Sequence, residues 1–149
     1  MTYWRRRDLL IRAGLGAMAF PFMPGCGGGD RLPHGDGESF RHGVASGDPL
    51  ADRVILWTRV SGVDGGAVTV DWEVAEDAGF SRVLRSGRLS TGPERDYTVK
   101  VDADGLAPAT HYYYRFHALG ATSSVGRAKT LPAGPTARVR FAHCTCGDF

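Results

Sequence analysis

From Phe40 onwards the chain consists of short runs of β-branched and aromatic residues separated by clusters of Gly, Asp, Pro and Ser, the pattern of an all-β sandwich or barrel. Val54, Leu56 and Thr58 alternate with Ile55, Trp57 and Arg59, and their near-continuous apolar character predicts a strand covered on both faces for part of its length. The alternation is cleaner over residues 67–76. There Val68, Val70, Trp72 and Val74 face one way and Thr69, Asp71 and Glu73 the other, so this strand has one wet face. Residues 83–90 are mostly polar and broken by Gly87, as expected of an edge strand whose charges discourage pairing with another chain. Tyr97, Val99 and Val101 alternate with Thr98, Lys100 and Asp102 ahead of a turn at Asp104-Gly105. Tyr112, Tyr114, Phe116 and Ala118 then share one face, with His111, Tyr113, Arg115 and His117 on the other. A last strand over residues 124–130 closes the sandwich. No segment has helical periodicity strong enough to compete. Val54, Leu56, Trp72, Val74, Val99, Tyr112, Tyr114 and Phe116 are expected to supply the inner face of both sheets, with Trp57, Trp72 and Tyr112 read as structural residues.

Turn chemistry divides this pattern. Ser46-Gly47-Asp48-Pro49 is a turn, because Gly47 tolerates positive φ, the Asp48 side chain can bond its own backbone and Pro49 presets φ; one strand ends there and the next begins at Arg53. Leu131-Pro132-Ala133-Gly134-Pro135-Thr136 is a boundary, since prolines cannot continue a ladder. A new strand starts at Val139-Arg140-Phe141-Ala142. The expected organisation is therefore a leader over residues 1–26, a Gly-, Asp- and Pro-rich flexible linker over 27–39, a β domain over 40–131, and a second linker with a first strand over 132–149.

Composition narrows the function classes. At 149 residues there is room for one domain of typical size, roughly 100–150 residues. The formal charge is +2, yet the leader holds four of the eighteen Lys and Arg and one of the sixteen acids, so the remainder carries 14 − 15 = −1. With no basic excess, nucleic acid and anionic membrane surfaces are poor bulk partners. Three cysteines are too few for a disulfide framework and lack the paired spacing of a zinc site.

The leader has the three parts of a secretory signal: Arg5-Arg6-Arg7, an apolar run over residues 9–23, and a small-residue exit at Gly25-Cys26. The run is about 15 residues against the roughly 20 needed to cross a bilayer, and Arg12, Gly14, Gly16 and Pro21 interrupt it. Arg6-Arg7-Asp8-Leu9-Leu10 resembles the twin-arginine export signal, which addresses a pathway for folded, often cofactor-loaded proteins; an ordinary Sec signal is the alternative. Met23-Pro24-Gly25-Cys26 resembles a bacterial lipobox, making Cys26 the candidate lipid-bearing residue, with simple cleavage nearby as the alternative. The expected location is outside the cytoplasm, in the periplasm or at the cell surface, with membrane anchoring through Cys26 when it is lipidated.

Gly43-Val44-Ala45-Ser46-Gly47-Asp48-Pro49, followed by Val54-Ile55-Leu56-Trp57-Thr58-Arg59, resembles the opening of the N-terminal domain of the alkaline phosphatase D (PhoD-like) family. Leu106-Ala107-Pro108-Ala109-Thr110-His111-Tyr112 resembles the link between the fifth and sixth strands of fibronectin type III domains. That second resemblance implies that the Tyr112 hydroxyl reaches back to the backbone a few residues upstream, a tyrosine corner. Together they imply a fibronectin type III or immunoglobulin-like sandwich of about seven strands. In the PhoD-like family a strand like residues 139–142 opens the catalytic metallophosphatase domain, and its end carries a Ser-Cys pair whose cysteine binds the active-site iron. Thr145-Cys146 falls on that pair, so the resemblance makes Cys146 a candidate iron ligand in a full-length chain; Cys144 has no counterpart. It also implies iron and calcium as cofactors of the full-length protein, and hydrolysis of phosphomono- or diesters.

Two-metal phosphoester hydrolysis needs several carboxylate, Asn and His ligands holding ions about 3.5–4 Å apart, and this chain offers at most one ligand of that set. His111 and His117, with Arg115 between them, more simply make a solvated strand face than a metal site. There is no Gly-x-Ser-x-Gly, Walker loop or complete Ser, His, Asp arrangement. No catalytic residue is expected here. The chain reads as the non-catalytic N-terminal portion of an exported PhoD-like phosphatase, cut short before the C-terminal metallophosphatase domain that would be its partner. The alternative is a lipid-tethered fibronectin type III-like module that binds protein or glycan and has no enzyme activity.

Overall fold

The structure, a computed structural model, describes residues 38–138. Arg6, Arg7, Cys26, Cys144, Cys146 and the strand expected over 139–142 lie outside the described residues. Within them the chain forms β1 (Val44–Gly47), β2 (Val54–Arg59), β3 (Val68–Ala75), β4 (Val83–Thr91), a single 3₁₀ turn (Pro93–Arg95), β5 (Thr98–Ala103), β6 (His111–Ala118), β7 (Ala121–Thr122) and β8 (Gly126–Lys129). One antiparallel sheet has the order β1-β2-β5 and the other β4-β3-β6, with β7 and β8 both paired to β6. The chain changes sheet between β2 and β3, between β4 and β5, and between β5 and β6. The result is an all-β sandwich of the fibronectin type III and immunoglobulin-like class.

Strict alternation builds the core. Leu56 and Thr58 from β2, Val70 and Val74 from β3, Val99 from β5 and Phe116 from β6 are all buried between the sheets. The Tyr114 and Phe116 rings meet edge to face at 6.3 Å, a favoured aromatic geometry. Trp72 shares the inner face but is only half-buried, because its cross-strand partner is Gly87 of the edge strand β4. Its indole covers that glycine so closely that a Cβ there would lie 2.7 Å from Nε1. Tyr114 lies in the same way against Gly126 of β8. Trp57 lies on the outer face of β2, half-buried, with Ala45 and Lys100 directly across.

Four local features depart from the alternation. The residue with positive φ after β1 is Asp48 (φ 45), not Gly47, a conformation that Asp tolerates better than most residues. Tyr97 (φ 54) follows Asp96 (φ 51) in the left-handed region, so β5 starts one residue later than the alternation implies and runs on to the buried Ala103. The last strand is split: Ser123 is buried, and its hydroxyl accepts the Phe116 N–H at 2.9 Å while its own N–H reaches the Phe116 carbonyl. One side-chain oxygen thus stands in for a ladder carbonyl between β7 and β8. Finally, the β3–β4 register shifts between Val74 and Ala75, with Leu84 of β4 as the extra residue, and Ala75, Phe80 and Val125 form a small second cluster on the outer face with Tyr113 packed against it.

The edge strand β4 carries a further device. Arg85 is paired with Val74, so it points toward the inner side, and its guanidinium donates to the carbonyls of Asp104 (3.1 Å) and Gly105 (2.8 Å) in the loop after β5. An inward-pointing charge on an edge strand discourages pairing with a second sheet.

Backbone hydrogen bonds order the two ends of the sandwich. At one end Ser61 N–H donates to Ser39 O at 2.8 Å and Val60 N–H to Tyr97 O at 3.0 Å; at the other Leu106 N–H donates to Asp52 O and Leu131 N–H to Leu50 O, both at 2.9 Å. The chain therefore comes into the domain at one end and leaves from the other.

Candidate functional site

Alternation puts the polar side chains of three adjacent strands on the outer face of the second sheet: Asp71 and Glu73 of β3, Ser86 and Arg88 of β4, Arg115 and His117 of β6. Register places Asp71 between Arg88 and His117, and Glu73 between Ser86 and Arg115. The charges then neutralise one another. Arg88 binds Asp71 through Nη2–Oδ2 at 3.0 Å, and Arg115 Nε donates to Glu73 Oε2 at 2.8 Å. His117 has Nε2 3.3 Å from the same Glu73 oxygen and Nδ1 3.0 Å from Thr122 Oγ1. The Arg115 guanidinium also sits 3.9 Å above the Phe80 ring, a cation–π contact. Burial pushes the Glu73 carboxyl up, but hydrogen bonds and charge from Arg115 and His117 outweigh it and hold the group below its ordinary value. The hydrogen bond from Arg88 likewise lowers Asp71.

Asp71, Glu73, Ser86, Arg88 and His117 line a shallow hollow of about 460 Å³. Ser86 lies across from Glu73 without a hydrogen bond to it, and the ion pairs are satisfied within the sheet, which suits them to fixing strand register rather than to chemistry. His117 is half-buried in this ladder and His111 is exposed opposite Lys129. The outer face of β6 is thus more engaged than a purely solvated face.

A second polar cluster lies where the chain comes in. Arg59 forks onto Asp96, with Nη2–Oδ1 at 2.8 Å and Nε–Oδ2 at 3.1 Å, a bidentate geometry that favours the ionised carboxylate. Its Nη1 lies 2.8 Å from His42 Nε2 and 3.5 Å from Ser61 Oγ. The cluster ties the segment before β1 to β2 and to the loop before β5.

At the opposite end Tyr112 is 3% exposed, and its hydroxyl accepts the Ala107 N–H at 2.8 Å. Thr130, also buried, donates to the Ala107 carbonyl at 2.7 Å and accepts the Thr110 N–H at 3.1 Å. The two hydroxyls therefore hold both sides of one residue of the β5–β6 loop. Alternation alone does not single out Thr130; the available signal is a hydroxyl at a buried strand position, which needs a partner.

Among the described residues no group of three or more His, Cys, Asp or Glu side chains could hold a metal ion. The carboxylates of the two polar clusters, Asp71, Glu73 and Asp96, are engaged by arginines.

The family model for the N-terminal domain of PhoD-like phosphatases matches residues 30–132. Alkaline phosphatase D of Bacillus subtilis (strain 168) is 45% identical over 120 residues, which are 74% of this chain and 20% of that protein. A solved structure of PhoD matches with a TM-score of 0.64 at 46% identity, over 72% of this chain and 22% of that one. The solution structure of the sensor domain of the anti-sigma factor RsgI4 in Pseudobacteroides cellulosolvens, at 14% identity and a TM-score of 0.51 over 69% of this chain and 92% of that one, shares the fold alone. The chain spans about a fifth of the length of alkaline phosphatase D and of PhoD. By the match over residues 30–132 and this identity, the chain belongs to the PhoD-like phosphatase family, in which it supplies the N-terminal domain.

Proposed function

We propose that this chain is the exported, non-catalytic N-terminal portion of a PhoD-like alkaline phosphatase or phosphodiesterase that hydrolyses phosphate esters when full length. The observation that carries the reading is the 45% identity to alkaline phosphatase D, located in a domain whose described polar side chains pair with one another instead of converging on a reaction centre. Catalysis then belongs to a C-terminal metallophosphatase domain, to which this chain contributes Cys146 as an iron ligand. A thiolate suits iron as a soft, anionic donor.

Purified residues 27–149 are expected not to hydrolyse p-nitrophenyl phosphate or its bis ester, with or without added iron and calcium. Turnover above that of a Cys146→Ala control, free of contaminating enzyme, overturns the reading. In a chain extended through the catalytic domain, Cys146→Ala is expected to lower bound iron and activity together.

A further inference from the structure

We propose that the end of the sandwich from which the chain leaves is a docking plate, and that its occupant is the domain that follows this one in PhoD-like phosphatases; the proposal rests on the function proposed above. Three tripeptides meet there: Pro-Leu-Ala at residues 49–51, Ala-Pro-Ala at 107–109 and Leu-Pro-Ala at 131–133. None of these nine side chains carries a charge or a hydrogen-bonding group, in a sequence that is 23% charged. Leu50 is 53% and Leu131 47% exposed, and residues 107–109 and 132–133 are exposed with them. Solvent-facing turns are ordinarily built from Gly, Pro, Asn, Asp and Ser; here Pro is kept, but Leu and Ala stand where the polar members would be. A contiguous apolar surface in their place marks a site of interaction.

The plate is also fixed in shape. Leu131 N–H donates to Leu50 O at 2.9 Å and Ala109 N–H to Leu131 O at 3.0 Å, which joins the three segments edge to edge. Thr130 and Tyr112 hold Ala107 from both sides. Ala109 has φ 55, a conformation that glycine adopts without strain and an L residue does not. The left-handed alanine keeps one more methyl group on the exposed surface.

Continuity of the chain identifies the occupant. The backbone leaves from the plate itself at Leu131, and residues 132–138 run on exposed, a reach of about 25 Å at most when fully extended. The matched segment is the N-terminal domain of the family and only 22% of the PhoD chain. The large following domain is therefore the partner placed against this surface by covalent linkage. The plate's lack of charge matches an apolar complement, not a polyanion.

The test joins residues 27–138 of this chain to the remaining, C-terminal part of Bacillus subtilis alkaline phosphatase D and follows hydrogen exchange. Docking is expected to slow exchange of the β6 amides on the order of tenfold or more relative to the isolated chain. Leu50→Ser/Leu131→Ser should abolish the slowing in the chimera yet leave the isolated chain's exchange unchanged. Added in trans, the same Bacillus part should perturb the amide resonances of residues 50, 109 and 131 first, which keeps the proposal testable if the chimera folds poorly. Equal exchange in chimera and isolated chain, perturbation confined to β4 or to the outer face of β3 and β6, or a dimer of the isolated chain dissolved by the double substitution would each overturn it. Hydrolysis of p-nitrophenyl phosphate by the chimera reports that the Bacillus part is folded, so an active chimera without protection refutes docking, while the enzymatic reading is tested separately by Cys146→Ala in the chain extended through the catalytic domain.

Discussion

Single hydroxyl groups hold places in this domain that the backbone leaves open. The Tyr112 hydroxyl serves as the acceptor for Ala107 N–H, and Ala107 lies at an exposed end where water can reach it. Tyr112→Phe is therefore expected to cost about 1–2 kcal/mol, toward the lower part of the range for an unsatisfied buried group. An unchanged urea midpoint would show that the hydroxyl contributes nothing. Tyr112 was legible because the Leu-x-Pro-x-Thr-x-Tyr string resembles a known corner. Thr130 and Ser123 were not, since a hydroxyl in a strand reads as an ordinary alternating residue until the opposing backbone is in place. Phe80 escaped for a related reason: its burial beneath Arg115 comes from a loop folding back on the sheet, and no period in the sequence records that.

Strands and turns show the same division. β3 and β6 follow from the period-two pattern because a slip of one residue would expose Val70, Val74 and Phe116 together. The outer ladder of Arg88, Asp71, His117, Glu73 and Arg115 depends on register across three strands, which turn lengths and the bulge at Val74/Ala75 decide. It carries a pH signature. The Glu73 carboxyl is held below its ordinary value of 4.5, so its contribution to stability is complete above that pH and is lost as the pH falls through the lower folded value. Glu73→Gln should be less stable than wild type at pH 7, and the gap should close on acidification below about pH 4.5. A gap that stays constant down to pH 2 would remove the ladder's ionic role. The hairpin joining β6 to β7 turns at Leu119 (φ 53) and Gly120 (φ 76), two left-handed residues as in a type I′ turn. Leucine is poorly suited to the first position. Leu119→Asn is expected to stabilise the domain by about 0.5–1 kcal/mol, measured as a higher denaturation midpoint.

For the whole molecule, the proposed export route separates cleanly from the fold. Arg6→Lys/Arg7→Lys should stop a fused reporter from leaving the cytoplasm by the twin-arginine pathway, and continued export would reassign the leader to the Sec route. The opposite placement of the chain's arrival and departure also has a geometric outcome. Six to eight residues of β2 and β6, at about 3.3 Å per residue, keep the two ends roughly 20–26 Å apart. Groups joined ahead of Ser39 and beyond Leu131 are therefore held at opposite ends of the sandwich, not side by side.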